Sequence, residues 1–395
     1  MEIRGPWLPN KGDALMLDAC VEALGGRFAL AAEGALGLAR RPRGAGLDRL
    51  AWGSLPAARL SRGFKGGGAR GAALRDAALL ALPEGLRARL GVRDGRAVAG
   101  LLDASGFAYG DQWGAERMRR RAAYYAAMKA RGARLVMAPQ ALGPFEAGEG
   151  REAARALLAP FERVYARDAR SLAHLEALGL RPGVAAQAPD VSHLLAPAPL
   201  PPGDWARRAC VVPNARMLDR TGPETAARYK AFLALALRLL QERGARPFLM
   251  LHESNDAALA AEVAREARAG GEGVAVIDPP AREAKAILGA ARAVVSSRYH
   301  ATVSALSQAT PTLGTSWTHK YDALFEEYRC PEMLVSPALP EEALRDRLDR
   351  ALDAGPRDAL RARLASSARR QAARVEAMWE DARAVLAGEA PRPPL

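Results

Sequence analysis

Residues 294–305 read VVSSRYHATVSA, and this stretch decides how the rest of the chain is interpreted. An apolar run ends in two small hydroxyl-bearing residues, and the Ala/Val pattern that follows suits a buried helix. A buried strand that leads directly into a helix is the repeating unit of a parallel α/β sheet. The junction therefore places Arg298, Tyr299 and His300 at the carboxyl end of a strand, where open parallel sheets bind ligands.

Short apolar runs alternate with longer amphipathic segments over most of the 395 residues, which is typical of parallel α/β architecture. Strands are predicted near 28–31, 97–102, 134–138, 163–166, 209–212, 247–251, 274–277, 293–296 and 311–314. Helices are predicted after Asp13, near 115, near 149, after 168, and over 341–354 and 356–386. The predicted fold class is α/β, with two Rossmann-like parallel-sheet domains that face a cleft.

A proline-rich run, APAPLPPGD at 196–204, separates the two series of strands. Proline fixes φ and lacks a backbone donor, so this run suits neither a helix nor a central strand. We predict an N-terminal Rossmann-like domain over 1–196, a linker over 197–207, a C-terminal Rossmann-like domain over 208–340 and C-terminal helices over 341–395. Domain interfaces are favoured pocket locations, so we expect the active site between the two domains.

The formal net charge of +13 and a pI of about 10.2 invite a nucleic-acid interpretation. However, 51 of the 57 basic residues are arginine, and they are spread along the whole chain, usually one or two at a time and often near Glu or Asp. Because no basic tract rises above this background, the charge indicates a compositional bias, and we expect no nucleic-acid partner.

The three cysteines, Cys20, Cys210 and Cys330, lie far apart and show no CxxC spacing. Neither a disulfide framework nor a zinc cluster is expected, so we predict no metal and a reducing cytoplasmic location. The N-terminus lacks the pattern of a signal peptide, and no apolar run reaches the length of a membrane span.

Asn10, Gly12 and Asp13 form the first polar motif of the chain. Asn10 and Gly12 suit a tight turn, and Asp13 can cap the helix that follows, whose free N–H groups would attract an anion. The alternative is a simple helix cap without a ligand.

Two further motifs of the first half follow predicted strands. Asp103 and Ser105 lie in a loop with Tyr109 and Asp111, where they could face the cleft; the alternative is an ordinary glycine-rich loop. Arg167 ends the strand at 163–166 and is placed to bind a carboxylate or phosphate with its planar guanidinium. Alternatively, Arg167 pairs with a neighbouring acid.

The second half offers comparable positions. His252 and Glu253 follow a strand and could transfer protons or bind a sugar hydroxyl, or His252 is an ordinary loop histidine. His319 and Lys320 follow the strand at 311–314, and Trp317 could stack on a sugar or base; the alternative is a loop anchored by Trp317.

The strand–helix junction at 294–305 carries the most specific motif. Arg298, His300 and the first N–H groups of the following helix could converge on one dianion, which would combine a fixed charge with the helix dipole.

Together these motifs resemble the polysaccharide pyruvyl transferase family from Asn10 to about Tyr328. The residues that carry the resemblance are Asn10-x-Gly12-Asp13, Arg167-Asp168 with Ser171, His252 with Asp256, and Ser297-Arg298-Tyr299-His300-Ala301. The resemblance implies a fold similar to GT-B glycosyltransferases. It also implies transfer of the pyruvyl group of phosphoenolpyruvate to sugar hydroxyls of a cell-surface polysaccharide or its precursor, as a cyclic ketal.

The resemblance also implies roles for individual residues. Family members use an Arg-Leu-His segment and another arginine for phosphoenolpyruvate, and these roles would fall on Arg298, Tyr299, His300 and Arg167, with Tyr299 at the usual leucine position. We hypothesise that His300, supported by Arg298, contacts the phosphate or protonates the leaving group, while Asp13 or His252 acts as the base toward the acceptor. The expected substrate-binding residues are Asn10, Gly12, Asp103, Ser105, Arg167, Glu253, Ser297, Arg298, Tyr299, His319 and Lys320.

The expected partners are phosphoenolpyruvate, held mainly by the C-terminal domain, and a sugar or lipid-linked glycan acceptor on the N-terminal side. No cofactor is expected, and peripheral membrane contact and a homo-oligomer are left open. The main alternative is a GT-B-type glycosyltransferase in which Arg298 and Lys320 bind the diphosphate of a nucleotide sugar. A non-catalytic glycan-binding protein is the other alternative.

Overall fold

The computed structural model describes residues 1–6, 10–33, 48–51, 77–146, 148–269, 273–318 and 320–392. The chain divides into two compact units. The first unit contains Met1–Leu8, Met16–Val191 and Arg374–Leu395, and the second contains Pro9–Leu15 and Ser192–Ala373. The first turn of the first helix thus belongs to the second unit. The linker and domain boundaries predicted from the sequence stay predictions.

The first unit holds an eight-stranded parallel sheet with the strand order β4-β3-β2-β1-β5-β6-β7-β8. Its strands are β1 Glu2–Arg4, β2 Ala31–Glu33, β3 Asp48–Ala51, β4 Val92–Asp94, β5 Gly100–Asp103, β6 Arg134–Gln140, β7 Arg163–Ala166 and β8 Ala185–Gln187. The helices of the first half are α1 Lys11–Leu24, of which Met16 onward lies in this unit, and α2 Glu84–Arg89, α3 Ala115–Ala130, α4 Gly148–Leu158 and α5 Ala169–Ala177.

The second unit holds a five-stranded parallel sheet with the order β11-β10-β9-β12-β13. Its strands are β9 Ala209–Val212, β10 Phe248–Met250, β11 Ala275–Ile277, β12 Ala293–Ser296 and β13 Thr312–Gly314. The remaining helices are α6 Arg216–Asp219, α7 Pro223–Glu242, α8 Ala257–Ala269, α9 Ala281–Ala290, α10 Tyr299–Leu306, α11 Lys320–Glu327, α12 Glu341–Leu352 and α13 Ala354–Ala387.

Three buried strands agree best with the sequence predictions. The ranges predicted at 163–166, 209–212 and 293–296 match β7, β9 and β12 residue for residue. All four residues of each of these strands are buried, as expected for parallel strands covered on both faces. Apolar runs are therefore a direct signal for β9 and β12 in the interior of the second sheet, whereas β7 also buries Arg163.

The sequence patterns missed β1, β3, β4 and β8, which are short or polar. In β1, Glu2 and Arg4 are both buried, so no apolar run marks the strand. Arg4 Nη1 pairs with the Glu2 carboxylate, and the Tyr124 hydroxyl also donates to Glu2 at 2.5 Å. Tertiary contacts, which the local pattern does not contain, thus stabilise this strand.

All three cysteines are buried free thiols. Burial raises the pKa of Cys20 and Cys210, and it raises the pKa of Cys330 to about 12. Buried cysteines with raised pKa values are unreactive packing residues, since the thiolate is the reactive form.

Among the helices that the structure describes, none combines the length and apolar composition that a bilayer span needs.

The last part of α13 is tied to β7 within the first unit. The Arg163 Nε donates to Asp381 Oδ2 over 2.6 Å, and the Tyr165 hydroxyl donates to the same oxygen. The Arg392 N–H donates to Asp381 Oδ1 over 2.6 Å, so both carboxylate oxygens have partners. Arg163 is 2% exposed, which makes this a buried ion pair.

We expect Asp381→Ala to lower the free energy of unfolding by about 3–5 kcal/mol, because it leaves the Arg163 charge buried without its carboxylate. Asp358→Ala is the matched control on α13, since the Asp358 side chain is 67% exposed and its neighbour Arg357 lies 3.3 Å away. The control should change the free energy by less than about 0.5 kcal/mol. Urea unfolding followed by circular dichroism measures both, and equal losses would contradict the expectation.

Candidate functional site

Four strands of the second sheet are followed by polar residues. Asn214 and His252 each lie two residues beyond β9 and β10, whereas Ser297 and Thr315 follow β12 and β13 directly. All pairs in this sheet are parallel, so these carboxyl ends share one edge. This edge is where open parallel sheets bind ligands.

Arg298 is held at this edge by two carboxylates. Its Nε donates to Asp256 Oδ2 over 2.8 Å, its Nη2 donates to the other Asp256 oxygen, and its Nη1 donates to Glu253. Arg298 is 8% exposed and Asp256 is fully buried. The expectation that Arg298 binds an anion stays a prediction. Such an anion would contact a guanidinium that is already hydrogen-bonded to Asp256 and Glu253.

Ser297 is the centre of a hydrogen-bond network. Its hydroxyl accepts from the Tyr229 hydroxyl at 2.6 Å and bonds to the Thr315 hydroxyl at 2.6 Å. Its carbonyl accepts from Asn214 Nδ2 at 2.7 Å and from the Tyr321 hydroxyl at 2.8 Å. Burial raises the pKa of Tyr229 and Tyr321, so both phenols stay protonated donors. The network fixes the backbone immediately before Arg298.

His252 is buried, and its surroundings favour the neutral imidazole. Desolvation lowers its pKa well below the ordinary value, and the charges of Arg298, His300 and Lys11 lower it further. Its carbonyl accepts the N–H of Lys11 at 3.2 Å. At neutral pH, the imidazole of His252 is therefore uncharged.

The first turn of α1 lies against the end of β10. Asn10 forms an isolated antiparallel bridge with Glu253, and the Lys11 ammonium pairs with Asp278. The sequence predicted free N–H groups in this turn, but several have protein partners. Lys11 donates to the His252 carbonyl, the Gly12 N–H donates to Asn10 Oδ1 at 2.8 Å, and the Ala14 N–H donates to the Asn10 carbonyl at 3.1 Å. Asn10, rather than the predicted Asp13, therefore caps this turn, because its Oδ1 accepts the Gly12 N–H and Asp13 lies inside the helix. Ligand binding by Asn10 and Gly12 stays a prediction.

Gly12 permits close contact between this turn and His300. A Cβ added at Gly12 would lie 2.1 Å from the Nδ1 of His300 and 2.5 Å from its Cγ. Both distances are far below van der Waals contact, so only glycine allows this position of the imidazole. Asp13 is half-buried in the same turn.

Tyr299 and Lys320 belong to an aromatic cluster beside His300. The Tyr299 ring meets the His300 ring edge-on at a centroid distance of 5.4 Å. The Lys320 ammonium lies 5.0 Å from the Tyr299 ring centroid and 5.1 Å from that of Trp317. Trp317, for which stacking on a sugar or base was considered, thus contacts a lysine. His319 lies outside the described residues.

Asp103 and Ser105 lie in the first unit, after β5. The buried Asp103 carboxylate accepts from the Tyr109 hydroxyl at 2.6 Å, from the Tyr125 hydroxyl and from the Ser105 N–H at 2.8 Å. Burial and the Asp103 charge raise the pKa of both tyrosines. Asp103 therefore organises its own loop, and substrate binding by Asp103 and Ser105 stays a prediction.

Arg167 also lies in the first unit, at the end of β7. Its Nη1 donates to Asp190 Oδ2 over 2.9 Å, and both side chains are buried. Asp168 caps α5, with its Oδ1 accepting from the Ser171 N–H at 2.7 Å. Pairing of Arg167 with a neighbouring acid, the alternative considered from the sequence, is what the structure contains. Binding of phosphoenolpyruvate by Arg167 stays a prediction.

The structure thus brings most predicted site residues to one edge of the second sheet. These are Asn10, Gly12, Asp13, His252, Glu253, Ser297, Arg298, Tyr299, His300 and Lys320. The site predictions omitted Asp256, Asn214 and Lys11. Asn214 could have been predicted from the sequence, since it is a polar residue two positions beyond an apolar strand. Asp256 had been noted only as a part of the family motif.

Residues 64–319 match the family model described as polysaccharide pyruvyl transferase. This span is more than half of the chain, so the protein belongs to the polysaccharide pyruvyl transferase family. The resemblance seen in the sequence motifs is therefore confirmed. No curated protein sequence matches the chain significantly.

Solved structures show the fold. A protein from Listeria monocytogenes assigned as a UDP-N-acetylglucosamine 2-epimerase has a TM-score of 0.61 and 13% identity, covering 100% of this chain and 98% of its own. Anabaena Alr3699/HepE in complex with UDP-glucose has a TM-score of 0.57 and 9% identity, covering 97% and 98%. S. aureus MnaA in complex with UDP has a TM-score of 0.56 and 11% identity, covering 100% and 98%. The predicted α/β fold class, with Rossmann-like parallel sheets of GT-B-like type, is confirmed.

We expect Gly12→Ala to destabilise the protein by about 1–3 kcal/mol, because the new methyl group overlaps the His300 ring. His300→Ala in the same chain should restore most of this loss, since it removes the atoms that clash. The coupling energy of this double-mutant cycle, from urea unfolding, checks the contact. Gly26→Ala is the control because a Cβ at Gly26 meets nothing within 4 Å. Additive effects of the two substitutions would show that Gly12 and His300 do not touch.

Proposed function

We propose that this protein transfers the pyruvyl group of phosphoenolpyruvate to two hydroxyls of a sugar, forming a cyclic ketal on a cell-surface polysaccharide or its precursor. Family membership supports the transferase class. The observation that carries the proposal is the clustering of Lys11, Arg298, His300 and the neutral His252 at one strand-end edge. Phosphoenolpyruvate carries a phosphate and a carboxylate, and basic side chains at such an edge suit both.

The reaction needs two proton transfers. The methylene carbon of phosphoenolpyruvate takes a proton while the first sugar hydroxyl adds to C2 and loses its own. The second hydroxyl then forms the second C–O bond as the C2–phosphate bond breaks, and its proton balances the departing phosphate. One acid and one base therefore serve both steps.

In this proposal, His300 contacts the phosphate or protonates the leaving group. Its position is supported by the contact with Gly12 and by Arg298 at the N-cap of α10. Asp13 or His252 acts as the base toward the acceptor, and the neutral state of His252 is compatible with that role. Tyr299 contributes through its backbone, since its ring is packed against Tyr321 with a centroid distance of 5.6 Å.

We further propose a cytoplasmic location, a sugar or lipid-linked glycan acceptor and no cofactor. The three buried free thiols support a reducing compartment. Arg167, Asp103 and Ser105 remain candidates for substrate contacts in the first unit.

We expect His300→Ala to lower the turnover of phosphoenolpyruvate by about 10²- to 10⁴-fold, the range for loss of a positioned acid or base. Phosphate release with a panel of sugar acceptors measures it. His174→Ala is the matched control, since His174 lies on α5 of the first unit, where its Nδ1 bonds to the Leu142 carbonyl. Undiminished turnover in His300→Ala would refute the role given to His300.

The same assay tests the main alternative, transfer from a nucleotide sugar. UDP-glucose lies in the complex of Alr3699/HepE, whose fold this chain shares. Turnover of UDP-glucose or UDP-N-acetylglucosamine, without a response to phosphoenolpyruvate, would replace the proposed donor.

We expect a chelator to leave pyruvyl transfer unchanged, because the proposed charge stabilisation comes from basic side chains. Phosphate release with and without EDTA measures this. Activity that EDTA abolishes and Mg²⁺ or Zn²⁺ restores would contradict the proposal of a metal-independent reaction.

A further inference from the structure

His252 presents a buried polar atom that the hydrogen bonds of the protein leave unused. The residue is 1% exposed, and its Nε2 has no hydrogen-bond partner among the described residues. Leaving such an atom unsatisfied destabilises the folded protein, because the hydrogen bonds that it made to water are not replaced. A buried unsatisfied group therefore needs an explanation, and at a strand-end edge a ligand provides one.

Basic groups from two elements lie at the same strand-end edge as this imidazole. Lys11 on α1, together with Arg298 and His300 beside β12, acts on His252 electrostatically. Lys11 also donates its N–H to the His252 carbonyl, and His300 contacts Gly12 one residue further along α1. A ligand that joins these groups has to be an anion.

The neighbouring carboxylates are already engaged by two of the cations. Glu253 and Asp256 pair with Arg298, and Asp278 pairs with Lys11. The Asp278 side chain is 63% exposed, so solvent screens its pair with Lys11 and the pair contributes little to stability. Lys11 can therefore exchange Asp278 for a bound anion at small cost, whereas Arg298 keeps its buried partners. Asp13 is the other carboxylate of this turn.

We propose that Lys11, His252 and His300 form a subsite for a phosphate-class dianion, and that His252 takes up a proton as the anion binds. This rests on the proposed function, in which the anion is the phosphate of phosphoenolpyruvate. In this subsite His252 binds the phosphate of the donor and does not act as the base toward the sugar acceptor. Asp13 is then the base.

Anion binding and protonation of His252 are coupled because the anion and the imidazolium have opposite charges. Burial, followed by the charges of Arg298 and Lys11, lowers the pKa of His252. A bound dianion reverses the local field and favours the imidazolium, which raises that pKa. Between the two pKa values the protein takes up a proton with the anion, so the affinity rises as the pH falls, by up to about tenfold per pH unit.

Sulfate is the clean probe, because its own charge does not change near neutral pH. Calorimetric titration of the full-length protein with sulfate, in buffers of different ionisation enthalpy, gives the number of protons taken up. We expect uptake in the wild type, and His252→Gln should abolish it and weaken sulfate binding by about tenfold or more. His174→Gln should leave both the affinity and the uptake unchanged.

A measurement on the unsubstituted protein keeps the proposal testable if His252→Gln does not fold. The chain has five histidines, so ¹⁵N-histidine labelling gives a simple spectrum. Sulfate should move the ring signals of His252 from the neutral to the cationic pattern. The signals are assigned by replacing the other histidines one at a time.

The outcomes separate this proposal from the proposed function. Sulfate binding without proton uptake, uptake that survives in His252→Gln, or no sulfate binding would each overturn the proton-linked subsite, even if phosphoenolpyruvate is turned over. Proton-linked sulfate binding that depends on His252, in a protein that does not turn over phosphoenolpyruvate, would uphold the subsite and refute the donor.

Discussion

The ion pair between Arg298 and Asp256 is the constraint on which the strand-end edge of the second unit depends. Asp256 accepts two guanidinium N–H groups, and its Oδ1 also accepts the Ala215 N–H at 2.9 Å, so one carboxylate connects the segments that follow β9, β10 and β12. Removing one partner of a buried ion pair costs about 3–5 kcal/mol, which is a large part of a domain's stability. Because Arg298 is the N-cap residue of α10, this pair also sets the position of His300.

The sequence predicted where the candidate site lies, but it did not predict which residues pair with one another inside the site. Motifs such as Ser297-Arg298-Tyr299-His300 follow apolar strands, and the parallel sheet necessarily brings those strand ends to one edge. The partners of Arg298 were not predicted, because Asp256 reaches it from a short 3-10 turn after a different strand. Such a pairing depends on the register between β9, β10 and β12, which no local pattern encodes.

The fold shows the same difference between features that local sequence patterns predict and features that depend on tertiary pairing. The ranges of β7, β9 and β12 were predicted to the residue, whereas β1 was missed because Glu2 and Arg4 are buried as partners of each other. For β1 and for the partners of Arg298 the physical reason is the same. A buried charge needs a tertiary partner, and the apolar periodicity of the sequence does not show which residue that partner is. The high arginine content, interpreted as a compositional bias, also supplies the cations of the buried pairs at Asp190, Asp256 and Asp381. A planar guanidinium that stays charged suits those positions better than a lysine would.

The buried cysteines give the protein an internal probe of its own opening. A thiol with a raised pKa and no solvent access reacts with a disulfide reagent only after the structure around it opens. Cys20 lies in the first unit, and Cys210 and Cys330 lie in the second. The labelling rates of these thiols, followed by mass spectrometry, therefore report the opening free energies of the two units separately, without any engineered label.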